Sequence, residues 1–250
     1  MNYHLGHIPV LLNLLVINRN WNSYFRTFIA LKYAYSNVAF FESQEKAFLK
    51  VNGILNISDK TFKRHLNKLV EIGFLGIDKK QSYYIRSYNH LKTAYELKKT
   101  RKVEFTLKDL DKGNFTAYLY GSTVGYIAFK KQNRNKWEVL KKDGINQSHK
   151  FLKYQKVKLE YTPPLSSRYL EFYIKASKSQ INKQLINAKE LGYIHYEKHT
   201  EFTGLTANNI THVLRLRQGK GAFPYCFGGF IYISHSNKFK AILSYKRENR

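Results

Sequence analysis

The sequence predicts an α+β fold in which two successive modules each combine a small helical core with a β-hairpin. Two local observations lead to this prediction. The segment from Asn56 to Ile77 has the pattern of a capped amphipathic helix that runs directly into a strand. The segment from Lys175 to Tyr196 repeats that pattern. A chain of 250 residues, 43% of them hydrophobic, is long enough to bury two such cores.

The first of these helices is delimited by strong local signals. Ser58 suits the N-cap position, where a hydroxyl oxygen accepts from a free backbone amide. Gly73 stands where a C′ glycine ends a helix, and residues 74–77 are then typical of a strand. One face is basic and polar, whereas apolar side chains recur at helical spacing on the other, at Phe62, Leu66, Leu69 and Ile72.

The second copy keeps the same signals in a fixed register. Ser177 corresponds to Ser58 and Gly192 to Gly73, and both pairs are 119 positions apart (177 − 58 and 192 − 73). The apolar stripe is kept at Ile181, Leu185 and Leu191. Few residues are identical, so we interpret the pattern as a diverged internal duplication.

The flanking segments complete the two modules. Helices over 23–35 and 43–51 and a hairpin of 74–77 with 82–87 define a first module, residues 23–90. A helical or extended connector, residues 91–113, follows. The second module, residues 114–218, is predicted to contain a helical segment over 114–142, a helix over 167–174 capped by Ser166, and a hairpin of 193–199 with 210–217.

Two terminal segments lie outside the modules. Residues 1–22 include an apolar run, 7–17, that is too short to span a bilayer and lacks the features of a secretory signal. We expect it to pack on the first module or to make a subunit contact. The C-terminal extension, residues 219–250, is basic and is predicted to form a hairpin that turns at Ser236 and Asn237.

Charge and composition favour a polyanionic partner. The chain has 43 Lys and Arg against 17 Asp and Glu, for a net charge of +26 and a sequence pI near 9.9. Nucleic acid relieves the resulting self-repulsion, although AT-rich coding also raises lysine content. The single Cys226 excludes an intramolecular disulfide and fits a reducing cytoplasm. We find no constellation for catalysis, a metal ion or a cofactor, and expect a non-enzymatic protein without a membrane partner.

The outward face of each duplicated helix supplies the candidate DNA contacts. In the first copy, residues near the helix N-terminus are predicted to reach base edges and the others to hold phosphates. The predicted base contacts are Lys60, Thr61, Arg64 and His65, and the phosphate contacts are Lys63, Lys68, Lys79 and Lys80. In the second copy the predicted contacts are Lys178, Ser179, Gln180, Asn182, Lys183 and Gln184, with Lys198 in the following strand.

Alternatives to groove contact stay open for both helices. Either basic face is compatible with an ordinary solvated surface, and the less cationic second copy is also compatible with a protein contact. The aromatic side chains Tyr83, Tyr84 and Tyr88 beside the first hairpin are candidates for stacking on unpaired bases, although most tyrosines of the chain are expected in cores.

Across residues 23–88 the chain resembles the winged-helix superfamily, through Ser58–Leu66 and Gly73–Leu75. Asn114–Arg217 resembles a second, more divergent copy. Two unequal winged helices in one basic chain resemble the replication initiators of plasmids and phages. This resemblance implies a monomer or homodimer that binds double-stranded DNA sequence-specifically, with host replication proteins as further partners. A winged-helix transcriptional regulator and a basic virion or packaging protein that binds nucleic acid non-specifically are the alternatives.

Overall fold

The computed structural model describes residues 4–35, 40–41, 43–79, 81–98, 101–142, 165–198, 200–211, 213, 222–236 and 238–240. Described residues up to Thr123 form one compact unit, and those from Val124 onward form a second. Both units combine helices with small antiparallel sheets, which confirms the predicted α+β class.

The first unit alternates helices with short strands. Its elements in chain order are β1 (His4–Pro9), α1 (Val10–Asn18), α2 (Asn22–Ala34), β2 (Phe40–Phe41), α3 (Gln44–Leu55), α4 (Asp59–Glu71), β3 (Leu75–Ile77), β4 (Tyr83–Ile85), α5 (Tyr88–Ala94), β5 (Lys102–Thr106), a 3-10 turn (Leu107–Leu110) and the first part of α6 (Lys112–Lys142).

Aromatic side chains dominate the core of this unit. The ring of Phe74, just beyond α4, meets Phe25 and Phe28 of α2 edge to face, with centroids 5.9 and 5.1 Å apart. Trp21 and Tyr95 pack on the same ring at 5.9 Å each. Such pairs add about 0.5–1.5 kcal/mol each beyond the burial of their area. Phe74 therefore ties the end of α4 to α2.

The apolar N-terminal run belongs to this core. β1 pairs antiparallel with β5, with Ile8 opposite Val103. Val10, Leu12 and Val16 of α1 are buried, and the buried Asn13 Nδ2 donates to Ser122 Oγ at 3.0 Å. A strand from the predicted N-terminal segment and a strand from the predicted connector thus form one sheet.

The predicted first hairpin is confirmed and gains a third strand. β3 and β4 are antiparallel, with Leu75 opposite Ile85, and β2 pairs with the other edge of β4. The sheet order is β2-β4-β3. At the turn, the backbone N–H of Asp78 donates to the Ser82 carbonyl at 3.0 Å, and the N–H of Ser82 donates to Asp78 Oδ1 at 2.8 Å. These bonds fix the register of the hairpin.

The second unit contains the part of α6 from Val124 onward and the elements that follow it. These are α7 (Ser167–Ile174), α8 (Lys178–Glu190), β6 (His195–Glu197), β7 (Thr200–Thr206), a 3-10 turn (Ala207–Asn209), β8 (Ala222–Phe227), β9 (Phe230–His235) and β10 (Lys238–Lys240). The predicted cap of α7 is confirmed, because Ser166 Oγ accepts from the N–H of Tyr169 at 3.1 Å.

Two chain segments of this unit form a long antiparallel ribbon. β6 pairs with β10, with Tyr196 opposite Phe239. β7 pairs with β9, with Phe202 opposite Tyr232. Because β6 leads into β7 and β9 leads into β10, the two pairs follow one another; we call residues 195–206 with 230–240 the ribbon. β8 adds to the free edge of β9, so the second pair becomes a sheet of order β7-β9-β8.

Both hairpins predicted for this half of the chain are wrong. The partner of the strand after α8 is β10, not residues 210–217. Ile210 and Thr211 are helical, and residues 214–217 lie outside the described part of the chain. The predicted polar tip at 200–209 is instead mostly β7. For the second predicted hairpin, Asn237 and residues 241–245 lie outside the described part of the chain, and the described strands on either side of Ser236 have other partners, because β9 pairs with β7 and β8 whereas β10 pairs with β6.

Candidate nucleic-acid interface

The duplicated sequence pattern corresponds to two helix–turn–helix pairs, α3 with α4 and α7 with α8. The second helix of each pair has 13 residues, Asp59–Glu71 and Lys178–Glu190, and the bounds differ by 119 at both ends. The turn before it begins in each case with a left-handed residue, Asn56 with φ 49° and Lys175 with φ 47°. The register derived from sequence therefore holds for the backbone from the end of the first helix through the second helix, whereas the first helices differ in length, with 12 residues in α3 and 8 in α7.

Both second helices begin and end with the same hydrogen bonds. Ser58 Oγ accepts from the N–H of Thr61, and Ser177 Oγ accepts from the N–H of Gln180, each at 3.3 Å. After α4, Gly73 has φ 70°, and its N–H donates to the Val70 carbonyl. The same pattern follows α8, with φ 77° at Gly192 and its N–H on the carbonyl of Lys189. This is the Schellman arrangement of helix C-termini.

The apolar stripe of each helix packs inward. Phe62, Leu66 and Leu69 of α4 are fully buried, as are Ile181, Leu185 and Ala188 at the corresponding positions of α8. Because one side of each helix is held against its own unit, the opposite side faces solvent.

The outward face of α4 is cationic. Lys60, Lys63 and Arg64 are exposed. Lys63 Nζ lies 2.8 Å from Asp59 Oδ2, an exposed ion pair of little energetic weight. Two further predicted contacts of this module are half-buried: Thr61 Oγ1 accepts from Ser58 Oγ, and Lys68 pairs with Glu71. Lys79 is exposed in the hairpin turn, and Lys80 lies outside the described residues.

His65 does not belong to this outward face, and its prediction as a base contact is wrong. Its side chain is 5% exposed, its Nδ1 lies 2.7 Å from Thr27 Oγ1, and its ring meets Tyr24 edge to face at 5.0 Å. Burial, together with the positive charges of Arg64 and Arg26, lowers the pKa of His65 to about 4. The imidazole is therefore a neutral part of the contact between α4 and α2.

The outward face of α8 is polar with fewer charges. Its exposed predicted contacts are Lys178, Ser179, Gln180 and Lys183, and Lys198 is exposed after β6. Asn182 is half-buried and accepts from Ser167 Oγ at 3.5 Å. Gln184, the counterpart of His65, is also half-buried, and its Oε1 is buried without a hydrogen bond among the described residues. The exposed face of α8 therefore does not include this oxygen, and a DNA contact by Gln184 stays a prediction.

A groove separates α8 from the ribbon in the second unit. It has a volume of about 410 Å³ and is lined by Lys178 and Asn182 from α8, by Lys198, and by Ser234 and His235 from the ribbon. The polar face of the helix and the ribbon thus border one concave surface.

Aromatic side chains are exposed where the sequence did not predict them. Tyr83 of the predicted stacking candidates is buried, whereas Tyr84 and Tyr88 are half-buried. The exposed rings are instead on the sheet β7-β9-β8, where Phe202 and Phe227 are 57% and 70% exposed. The signal for them is the aromatic alternation on both sides of the Gly228-Gly229 pair.

The described helices include none that is both long and apolar enough to cross a membrane. In the same part of the chain, no three His, Cys, Asp or Glu side chains come together as a metal site would require. Comparisons of this chain with protein-family models, with curated proteins and with solved structures find no match.

Proposed function

We propose that this chain is a sequence-specific double-stranded DNA-binding protein with two winged-helix modules, in which α4 and α8 are the recognition helices. The observation that carries the proposal is the duplicated helix–turn–helix. In both copies a helix of the same length is capped in the same way, buries one apolar stripe and turns a polar or basic face to solvent. A helix that packs on its own module through its apolar stripe can insert its polar face into a major groove, which is wide enough to admit an α-helix.

The first module supports the assignment through its topology. In the order α2-β2-α3-α4-β3-β4, the hairpin β3-β4 directly follows the second helix of the pair, and β2, which precedes α3, adds a third strand to it in the sheet order β2-β4-β3. In the winged-helix superfamily the recognition helix is likewise followed along the chain by a β-hairpin. Lys79 in the hairpin turn is exposed and suits a phosphate contact beside the groove.

Arg64 is the residue most suited to reading a base in this module. It is exposed on α4, and a guanidinium can donate to O6 and N7 of guanine together. Lys60 and Lys63 lie on the same exposed part of the helix and add phosphate or base contacts. His65 makes no contribution to readout, so recognition by α4 depends on fewer side chains than the sequence indicated.

The second module supports DNA recognition through a side-chain amide instead of a guanidinium group. Gln180 is exposed in the first turn of α8, and a side-chain amide can pair with N6 and N7 of adenine. Lys178, Lys183 and Lys198 supply the nearby positive charge. Two modules in one chain give a monomer two half-sites, which a single-module protein obtains only by dimerisation.

The biological role that we propose is replication initiation of the plasmid or phage type, on the architectural resemblance of two unequal winged helices. Transcriptional regulation by the same modules is the alternative. Selection of bound duplexes from a random pool separates the two, because initiators are expected to select direct repeats and regulators palindromes. A basic packaging protein would select no sequence at all.

The test of DNA reading compares two variants on the selected duplex and on random duplex. Arg64→Ala is expected to cost about 1–3 kcal/mol on the selected site and to relax preference at one base pair. Lys79→Ala is the matched control, because the loss of a phosphate contact weakens both duplexes alike. Unchanged affinity and preference in Arg64→Ala, or a pool without enrichment, would contradict the proposal.

A further inference from the structure

The sheet β7-β9-β8 carries a cluster of exposed aromatic rings, which we call the aromatic face. Its members come from all three strands, and Phe202, Tyr225, Phe227 and Phe230 are exposed, whereas Tyr232 at the centre is half-buried. Side chains this large are usually removed from water. A contiguous group of them on a surface marks a binding site for another molecule.

Strand pairing shows that the five rings share one face. Phe202 and Tyr225 both stand opposite Tyr232, and Phe227 stands opposite Phe230. Residues directly opposite in a sheet point to the same side, as do residues two apart along a strand. All five rings therefore lie on one side of the sheet, and none of them belongs to the core on its other side.

The core of this sheet lies on its other side. Ile231 and Ile233, which alternate with the aromatic positions of β9, are fully buried. They form a cluster with Val213, and Ile210 packs against it. Ile210 and Val213 thus cover one side of the sheet, and within the described residues the aromatic face is the side that they leave exposed.

The rings form a connected array. Phe202 lies 5.6 Å from Phe230 and 5.2 Å from Tyr232, and Phe227 lies 6.2 Å from Tyr232, between centroids. Tyr225 and Tyr232 are close to parallel, at 24° and 5.7 Å. The turn that joins β8 to β9 consists of Gly228 and Gly229, both at positive φ as a tight two-residue hairpin requires. The tight turn holds Phe227 and Phe230 side by side at the edge of the array.

The net charge of the chain favours one of the possible occupants of this face. The strands β7, β8 and β9 themselves contain no Lys or Arg and one acidic residue, Glu201, whose Oε2 lies 3.1 Å from Nε2 of His235. A second copy of this chain would bring another net charge of +26 to the contact. A nucleic-acid strand brings the opposite charge, and its unpaired bases offer flat π surfaces of the kind that stack on aromatic side chains.

We propose that the aromatic face binds the unpaired bases of a single-stranded nucleic acid. This site is separate from the duplex-reading helices α4 and α8. Stacking requires a π surface and tolerates any base, so the site is expected to hold a strand with little sequence preference. It adds a second kind of substrate to the proposed duplex binding and does not depend on that proposal.

The experiment measures fluorescence anisotropy of a labelled oligothymidylate of about 20 nucleotides with the full chain. Phe227→Ala and Phe202→Ala are each expected to weaken binding on the order of 10-fold. Phe227→Trp retains a π surface and should bind as the wild type does, whereas Phe227→Leu, apolar but without a ring, should weaken like the alanine variant. Phe172→Ala is the matched control, because Phe172 is 78% exposed on α7, outside the sheet.

Circular dichroism confirms that each variant folds, and sedimentation measures self-association. Oligothymidylate affinity that is unchanged in Phe227→Ala and Phe202→Ala overturns the proposal. So does retained affinity in Phe227→Leu, or a wild-type dimer that Phe227→Ala converts to a monomer. Arg64→Ala, which tests duplex reading, should leave oligothymidylate binding unchanged. A chain that selects no duplex but loses single-strand binding with Phe227 would reject the proposed function and keep this inference.

Discussion

Asn56 and Lys175 occupy the same left-handed position in the two helix–turn–helix pairs, with φ of 49° and 47°. Left-handed backbone costs most residues roughly 1–2 kcal/mol, but asparagine tolerates it better than lysine. We therefore expect Lys175→Gly to stabilise the second unit by about 1 kcal/mol and Asn56→Gly to leave the first nearly unchanged. Urea unfolding of the two variants measures both effects. A loss of stability in Lys175→Gly would show that the left-handed backbone at Lys175 is not strained.

The serine caps of α4 and α8 should contribute equally to their units. Ser58→Ala and Ser177→Ala each remove an acceptor for a backbone amide at a helix N-terminus. Each is expected to lower the free energy of unfolding by about 1 kcal/mol. Ser179→Ala serves as the control, because Ser179 is exposed in the first turn of α8 and caps nothing in the described residues. Equal stability of Ser177→Ala and Ser179→Ala would refute the cap assignment.

His65 should make the stability of the first unit depend on pH. Its pKa is about 4 in the folded chain and near 6.5 when unfolded, so the unfolded chain takes up the proton first as the pH falls. The stabilising contribution is complete above pH 6.5 and is lost between pH 6.5 and 4, by about 3 kcal/mol. His65→Gln, which copies Gln184 of the second unit, should remove this part of the pH dependence in urea titrations at pH 7 and 4.5. An unaltered slope would show that the imidazole is not held neutral.

Two glycines of the first unit should respond to alanine in opposite directions. A Cβ on Gly76 of β3 would overlap the ring of Tyr84 across the hairpin, so Gly76→Ala must displace that ring. A Cβ on Gly53 of α3 would meet nothing within 4 Å. We expect Gly76→Ala to destabilise by about 1–3 kcal/mol and Gly53→Ala to stabilise by up to about 1 kcal/mol. Thermal melting of the pair measures the contrast, and a neutral Gly76→Ala would mean that the hairpin adjusts freely.

The acidic residue at the start of α4 should weaken DNA binding by this helix. Asp59 pairs with Lys63, and the corresponding residue of α8 is Lys178. Asp59→Asn removes a negative charge from the end of α4 that we propose to face the groove, so affinity for the selected duplex should rise severalfold at low salt and less at high salt. Glu71→Gln, at the other end of α4, is the control. An effect as large in Glu71→Gln would place the DNA contact elsewhere on the helix.

Short-range signals in the sequence were sufficient for the duplicated helices. A cap, a stripe and a glycine act within a few residues, so Ser58, Ser177 and Gly73 predicted helix ends that the structure has at the same positions. The hairpin after α4 was equally predictable, because its strands are joined by a short polar turn.

Long-range packing accounts for what the sequence did not show. The alternation in residues 210–217 favoured a strand, yet Ile210 is helical because it covers Ile231 and Ile233 of the sheet. His65 is polar and follows Arg64, and nothing local distinguishes it from a surface residue. It is buried because Tyr24 and Thr27 of α2 pack against it.

The pairing of β6 with β10 has a consequence for the order of folding. In the first hairpin, Leu75 and Ile85 meet across a short turn, whereas His195 must find Lys240 across the whole inserted sheet. Closing the longer loop from an open chain costs about 1 kcal/mol more entropy. Local formation of the Gly228-Gly229 turn, followed by β7, brings those ends together and removes most of that cost. We therefore expect the ribbon to assemble from its tip toward α8, and synthesis must pass residue 240 before β6, which follows α8, gains its partner strand.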